Sequence, residues 1–317
     1  MTDTQNEVFK SPVNKIRLFE HGAPGSQNLK LTRKYYTEDM PDGRVKHIVQ
    51  NITDPDIVPY IPDGIGNSTD RQRIPAVLII PGGAFRRLVY NFEGEDVAKW
   101  LNSMGIAAFV LECRLPSDEH DNAEDVPLID AMRAMRVIRG RAQEFGIDEA
   151  KIGVMGFSAG GFMAALLSTA YESDVYADYK YKDEYDKLSA RPDFAVCSYP
   201  VISIDDCIEA GKRYMSEEQV LERISDGKAK ILHKYNPDKL VRQDMPPVFI
   251  CETDDDRTTL SENSVGFYMA ARKAGVSAEL HIFRTGGHGY GCGDDFAQTG
   301  EWKVLFTKWI KSIGIIS

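Results

Sequence analysis

The chain has 317 residues, 43% of them hydrophobic and 27% charged, with a net charge of −10 at pH 7. That length suits one large domain able to bury about three quarters of the surface its unfolded chain exposes. The acidic balance repels phosphate backbones and anionic lipid, which argues against nucleic-acid and membrane partners and leaves neutral or cationic small molecules.

The first twenty residues, MTDTQNEVFKSPVNKIRLFE, lack a basic start followed by an apolar stretch. No run elsewhere reaches the length of a membrane span, so a cytoplasmic protein is expected. Within residues 1–74, NKIRLFE and KHIVQNI alternate as antiparallel strands do, and DPDIVPYIPDGIGNSTD is broken by Pro and Gly and reads as a loop. From residue 76 onward six short apolar runs recur: AVLII, IAAFVLE, KIGVMGF, DFAVCSYP, PVFICE and AELHIF. Rich in β-branched and aromatic residues, they read as buried strands.

Helical patterns separate them. Val97, Trp100, Leu101 and Met104 share one helical face, as do Ala131, Met135, Ile138, Ala142 and Phe145 before Gly146 stops the turn. The C-terminal stripe Trp302, Leu305, Phe306, Trp309 and Ile310 has the spacing of a helix that covers a sheet. Such alternation builds a mostly parallel central sheet with helices on both faces, here with antiparallel N-terminal edge strands, in a single domain over residues 1–317.

Two insertions interrupt the alternation. Residues 170–192 carry Tyr171, Tyr176, Tyr179, Tyr181 and Tyr185 among charges, and residues 203–245 contain Ser216 and Gln219 spaced as a capping box. They read as solvated surface or a subunit contact, with a lid over the site as the alternative; homo-oligomerisation stays open. The five cysteines, Cys113, Cys197, Cys207, Cys251 and Cys292, have no C-x-x-C spacing and fall mostly in apolar runs. Free thiols are expected, with no metal site.

The chemistry centres on IGVMGFSAGGFMAALL, where Ser158 stands between Gly156 and Gly160 as an apolar strand turns into a helix. A tight strand-to-helix turn crowds the chain on both sides and holds the hydroxyl out at the sheet edge. The helix start also offers unbonded amides, among them Ala159 N–H, to a negative oxygen. A serine hydroxyl is a poor nucleophile until a base takes its proton, so a histidine and an orienting carboxylate should follow. His288 sits in a glycine-flanked loop after the last strand, and the preceding strand ends in Asp254, Asp255 and Asp256. Ligands of such sheets sit beyond the carboxyl ends of the strands, where all three side chains fall. IIPGGAF, after an earlier strand, supplies backbone amides at Gly83 and Ala84 that can face the same oxygen. Phe85, Phe157 and Tyr290 are candidate walls of a substrate pocket.

With these residues in view, the chain resembles the α/β-hydrolase superfamily, and within it the bacterial acetyl esterase and acetylxylan esterase group. The likeness runs from about Pro75 to the C-terminus through PGGAF, EGEDVAKWLNSMG, GVMGFSAGG, PPVFICETDDD, ENSVGFYMAARKAG and ELHIFRTGGHGYG. It implies Ser158 as nucleophile, His288 as base and, counting back from ENS, Asp256 as the orienting acid, with Gly83, Ala84 and Ala159 as oxyanion donors. Three departures stand out: Ala84 where a third glycine is common, Phe162 where histidine is common, and DRTTL in place of Val-Pro after the aspartate. The expected activity is cofactor-free hydrolysis of short acyl esters, acetyl foremost, on a small-molecule substrate such as an acylated xylo-oligosaccharide. A serine peptidase-like hydrolase and a non-catalytic binding protein of the same fold are the alternatives.

Overall fold

The computed structural model describes residues 9–64, 73–213, 215–216, 218–219, 229–293 and 297–317. The N-terminal part contributes four strands, β1 (Ile16–Arg17), β2 (Lys34–Asp39), β3 (Val45–Gln50) and β4 (Asp56–Tyr60). Then come β5 (Ile74–Ile80), β6 (Leu88–Val89), β7 (Ala107–Glu112), β8 (Ile147–Phe157), β9 (Ala195–Ser198), β10 (Val248–Thr253) and β11 (Ala278–Phe283). Eight of them form one sheet in the order β1-β4-β7-β5-β8-β9-β10-β11. From β7 to β11 the pairing is parallel, and β4 and β1 are antiparallel at one edge. The central strands are buried along almost their whole length, as their unbroken apolar composition requires.

The described helices are α1 (Asp96–Ser103), α2 (Val126–Gly140), α3 (Ala142–Phe145), α4 (Ala159–Ala170), α5 (Ile204–Lys212), α6 (Ala229–Lys234), α7 (Ser261–Lys273) and α8 (Glu301–Ser312). The connection through α1 moves one way along the sheet and those through α2, α4 and α7 move the other, so right-handed crossovers put them on opposite faces. The helix α8 joins α1, with Trp100 edge-on to Trp302 (4.9 Å) and Phe306 (5.4 Å). All six apolar runs are strands and the helical stripes are helices, but AELHIF, expected to be buried, is the half-exposed edge strand β11, which has a neighbour on one side only.

Two expectations change at the N-terminus. KHIVQNI does not join the main sheet; it pairs with β2 and β6 in a separate three-stranded antiparallel sheet. The stretch read as a loop begins instead with β4, which supplies the edge. Its Pro59 is tolerated because β1 pairs only with Asp56 and Ile57, so the outer side of β4 has no ladder there to interrupt. Residues 65–70 of that stretch and the two that follow lie outside the described residues, as do the first eight of the chain.

The tyrosine-rich stretch packs on α2 and the N-terminal segment: Arg136 donates to the Tyr176 hydroxyl, and Tyr176 and Tyr179 meet Phe19 edge-on. In the second insertion Gln219 N–H donates to Ser216 Oγ (3.2 Å) and Ser216 N–H to Gln219 Oε1 (3.0 Å), the reciprocal cap the spacing predicts. Residues 220–228, which that cap would open into, lie outside the described residues. Cys113, Cys197, Cys251 and Cys292 are free thiols, and the Cys207 side chain lies outside the described residues.

Candidate active site

Strand β8 ends at Phe157, and Ser158 takes φ 54° and ψ −119° before α4 begins. A left-handed φ at a non-glycine residue costs about 1–3 kcal/mol and persists only where the surroundings enforce it. The enforcement is visible in the flanking glycines. A Cβ on Gly156 would fall 1.9 Å from Gly160 O, and one on Gly160 would fall 1.9 Å from Ile80 O. Strand, turn and helix therefore meet backbone to backbone, and only hydrogen fits at both positions.

Ser158 Oγ lies 2.8 Å from His288 Nε2, and His288 Nδ1 lies 2.7 Å from Asp256 Oδ2. An ionised carboxylate accepts a hydrogen bond from Nδ1–H, which fixes the tautomer that leaves Nε2 free to accept from the serine. Asp256 is almost fully buried and follows β10, while His288 follows β11, so the three side chains converge at the carboxyl ends of β8, β10 and β11. Burial pushes the Asp256 carboxyl up. The bonds from His288 and from the Thr258 (2.7 Å) and Thr259 (3.0 Å) amides outweigh it and hold the group below its usual value.

Of the candidate acids, Asp256 is the one whose carboxylate meets the imidazole. Asp255 is exposed and instead accepts Gly287 N–H (2.8 Å), which pins the histidine loop. Thr253 Oγ1 donates to Gly287 O (3.0 Å) and Trp302 Nε1 to Gly291 O (3.1 Å), so the loop is fastened on both sides of His288. The DRTTL departure serves the same acid: Thr259 Oγ1 lies 3.0 Å from Asp256 Oδ2 and 3.2 Å from His288 Nδ1.

In the turn after β5, Gly83 (φ 139°), Ala84 (φ 58°) and Phe85 (φ 59°) all have positive φ. A Cβ on the neighbouring Gly82 would stand 2.9 Å from Ser158 Cβ and 2.4 Å from Phe157 O, which measures how close the two turns lie. The Ala159 amide is in the first turn of α4, where no intrahelical partner exists. Ala84 adopts the left-handed backbone that glycine would take there without strain. A cavity of about 10 Å³, room for one water-sized group, is lined by Gly82, Phe85, Leu88, Leu115, Ala159 and Met163; Gly83 and Ala84 do not line it.

Of the three candidate pocket walls, only Phe85 lines this cavity. Phe157 is a correction: it is fully buried, packed on Tyr199 (5.9 Å) and Trp302 (6.3 Å), and belongs to the core. Tyr290 meets Tyr199 edge-on at 4.5 Å beside the histidine loop. Phe162 packs edge-on against Phe85 (5.6 Å), so its aromatic bulk backs the cavity wall.

Sequence reasoning missed three residues. Glu93 is buried and accepts Gly82 N–H (2.8 Å) and the Tyr199 hydroxyl (2.9 Å). Tyr199 has φ 36° and lies edge-on to His288 at 5.0 Å. Glu252 is buried near Asp256; burial first, and then the Asp256 charge, pushes its carboxyl well above the usual range, so this pair of acids carries its charge on Asp256. An acid inside an apolar strand, as in FICET, was the available signal for Glu252. Among the described residues no group of three or more His, Cys, Asp or Glu is arranged to hold a metal ion, and no helix is long and apolar enough to cross a membrane.

Comparison with known proteins agrees with this architecture. The chain is 31% identical over 240 residues to an acetylxylan esterase of Xylanibacter ruminicola, covering 75% of this chain and 45% of that protein. It therefore spans about half the length of that relative. Among solved structures it is similar to an acetyl ester-xyloside bifunctional hydrolase from Caldicellulosiruptor lactoaceticus, with TM-score 0.69, 35% identity and coverage of 96% and 97% of the two chains. A propionate-bound esterase of Thermogutta terrifontis has the same fold at 23% identity and TM-score 0.64, over 93% and 96% of the chains. The BD-FAE family model matches residues 65–270, from just before β5 into α7. With the parallel sheet, the strained serine turn and these matches together, the chain has the α/β-hydrolase fold and belongs to the BD-FAE family.

Proposed function

We propose that this protein is a serine esterase that removes short acyl groups, acetyl foremost, from carbohydrate. Ser158 attacks the ester carbonyl as His288 accepts its proton, Asp256 orients the imidazole and offsets its charge, and the imidazolium returns the proton to the departing sugar hydroxyl. Water then hydrolyses the acyl-enzyme by the same relay. The amides of Gly83, Ala84 and Ala159 face the oxygen that becomes charged, each such donor being worth about 10²- to 10³-fold in rate.

The observation that carries the reading is the unbroken run of contacts from Ser158 Oγ through His288 to Asp256, at 2.8 and 2.7 Å. The names of the relatives, an acetylxylan esterase and an acetyl ester-xyloside hydrolase, support acetylated xylo-oligosaccharides as the substrate class. The small cavity lined by Gly82 and Ala159, with room for about one water-sized group, supports a short acyl group.

Acetate release from acetylated xylo-oligosaccharides, run beside esters of rising acyl length and an aminoacyl amide, tests this. Turnover should be fastest on acetyl and fall with chain length, and Ser158→Ala should lose about 10⁴-fold or more. Cleavage of the amide in preference to the esters would support the peptidase-like alternative. Inactivity on every substrate would leave a binding protein.

A further inference from the structure

Glu93 lies in a single turn of π-helix, Asn91–Glu95, that runs into α1. Its carboxyl is buried and, among the described residues, no lysine or arginine pairs with it. A buried carboxylate without a cation is expensive, and an apolar or amide side chain would satisfy the fold at lower cost. Burial pushes this carboxyl up, against the opposing pull of the Tyr199 hydroxyl, the His288 ring, the Gly82 amide and, at longer range, the Lys46 charge. What the carboxylate touches accounts for its presence.

One oxygen accepts the Gly82 amide at 2.8 Å, which ties it to the turn that carries Gly83 and Ala84. The other accepts the Tyr199 hydroxyl at 2.9 Å, and the same phenolic oxygen accepts Gly291 N–H at 3.0 Å, three residues beyond His288. Tyr199 is itself immobilised. Its amide donates to Cys251 O (2.7 Å), its carbonyl accepts from Thr259 Oγ1 (3.2 Å), and its ring lies edge-on to the imidazole. Four segments distant in the chain thus share one hydrogen-bonded path: the donor turn, the π-turn, the end of β9 and the histidine loop.

We infer that Glu93, through Gly82 on one side and Tyr199 on the other, is a positioning residue that holds the oxyanion donors and the base in register with Ser158. The inference rests on the esterase reading and deepens it. Neither Glu93 nor Tyr199 touches the reacting atoms, so their effect is on the geometry reached in the transition state rather than on substrate affinity.

The test uses Glu93→Gln, Tyr199→Phe and the double variant in steady-state hydrolysis of p-nitrophenyl acetate, with melting temperature as the check on folding. Each single variant should lower kcat by about 10- to 100-fold with KM changed by less than about threefold. Because both act on one path, the double variant should be no worse than the poorer single. Wild-type kcat in either folded single variant, a loss confined to KM, or losses that multiply in the double variant would overturn it. If Glu93→Gln does not fold, Tyr199→Phe, which keeps the ring, decides by the same criteria. Wild-type protein inactive on the ester would fell the esterase reading and this inference together; active wild type with unimpaired variants fells the inference alone.

Discussion

Asp255 and Asp256 are adjacent acids with different tasks. Asp256 is buried, bonded to the imidazole and to two backbone amides; Asp255 is exposed and bonded to the Gly287 amide. On the esterase reading, Asp256→Asn should lower kcat by about 10³- to 10⁴-fold, because an amide favours the wrong imidazole tautomer. Asp255→Asn, which weakens one contact to the loop, should cost less than about tenfold; rates of acetyl ester hydrolysis for the two variants check this, and equal losses would contradict it. Ser158 and His288 were legible because glycines and strand ends mark them. The choice within Asp254, Asp255 and Asp256 was not, since three acids in a row carry no spacing signal, and only likeness to a family favoured the third. Glu93 and Tyr199 were invisible for a different reason: their roles come from contacts 106 residues apart in the chain, between two segments that read as ordinary helix start and strand end.

At the scale of elements, the junction of β8 and α4 is held backbone to backbone. Gly160 has no room for a methyl group, since the atom would sit 1.9 Å from a backbone oxygen of β5 that is itself fixed in the sheet. Gly160→Ala should therefore destabilise the fold by more than about 3 kcal/mol and displace Ser158 from His288. Thermal unfolding alongside ester hydrolysis reads both effects, and a stable, fully active variant would show that α4 and β5 can separate. The central parallel strands were legible because burial on both faces leaves each an apolar run, whereas β11, at the sheet edge, is only half-buried and carries Glu279 and His281 among its apolar residues. The antiparallel edge was not. β4 contains Pro59, a punctuating residue by itself, and its strand character comes from its pairing with β7 rather than from its own sequence. β3 alternates as an edge strand should, yet alternation does not say which sheet a strand joins.

Across the whole molecule, the N-terminal segment is fastened to the sheet by buried polar groups, and these couple its stability to pH. Arg114 forms a fully buried pair with Asp130 and also donates to Ser26 Oγ (2.8 Å), whose hydroxyl meets His120 Nδ1 at 3.0 Å. Burial first, and then the Arg114 charge, brings the His120 ring down to about 4. Asp118, two residues earlier, accepts Ile52 N–H and is pushed up to about 6 by burial. The signs oppose. Below about pH 6.5 the unfolded chain protonates His120 while the native chain does not, so stability falls as pH drops toward 4. Between about 6 and 4 the native chain protonates Asp118 while the unfolded chain does not, so stability rises over that window as pH drops. On going from pH 7 to pH 5 the first effect costs about 2 kcal/mol and the second returns about 1 kcal/mol, the latter reduced for the partial exposure of Asp118. Urea unfolding at the two pH values should thus show His120→Leu losing about 2 kcal/mol less than wild type on acidification and Asp118→Asn losing about 1 kcal/mol more. Variants with the same pH dependence as wild type would mean that both groups titrate alike in the native and unfolded chains, and that the contacts around Arg114 do not govern the acid stability of the fold.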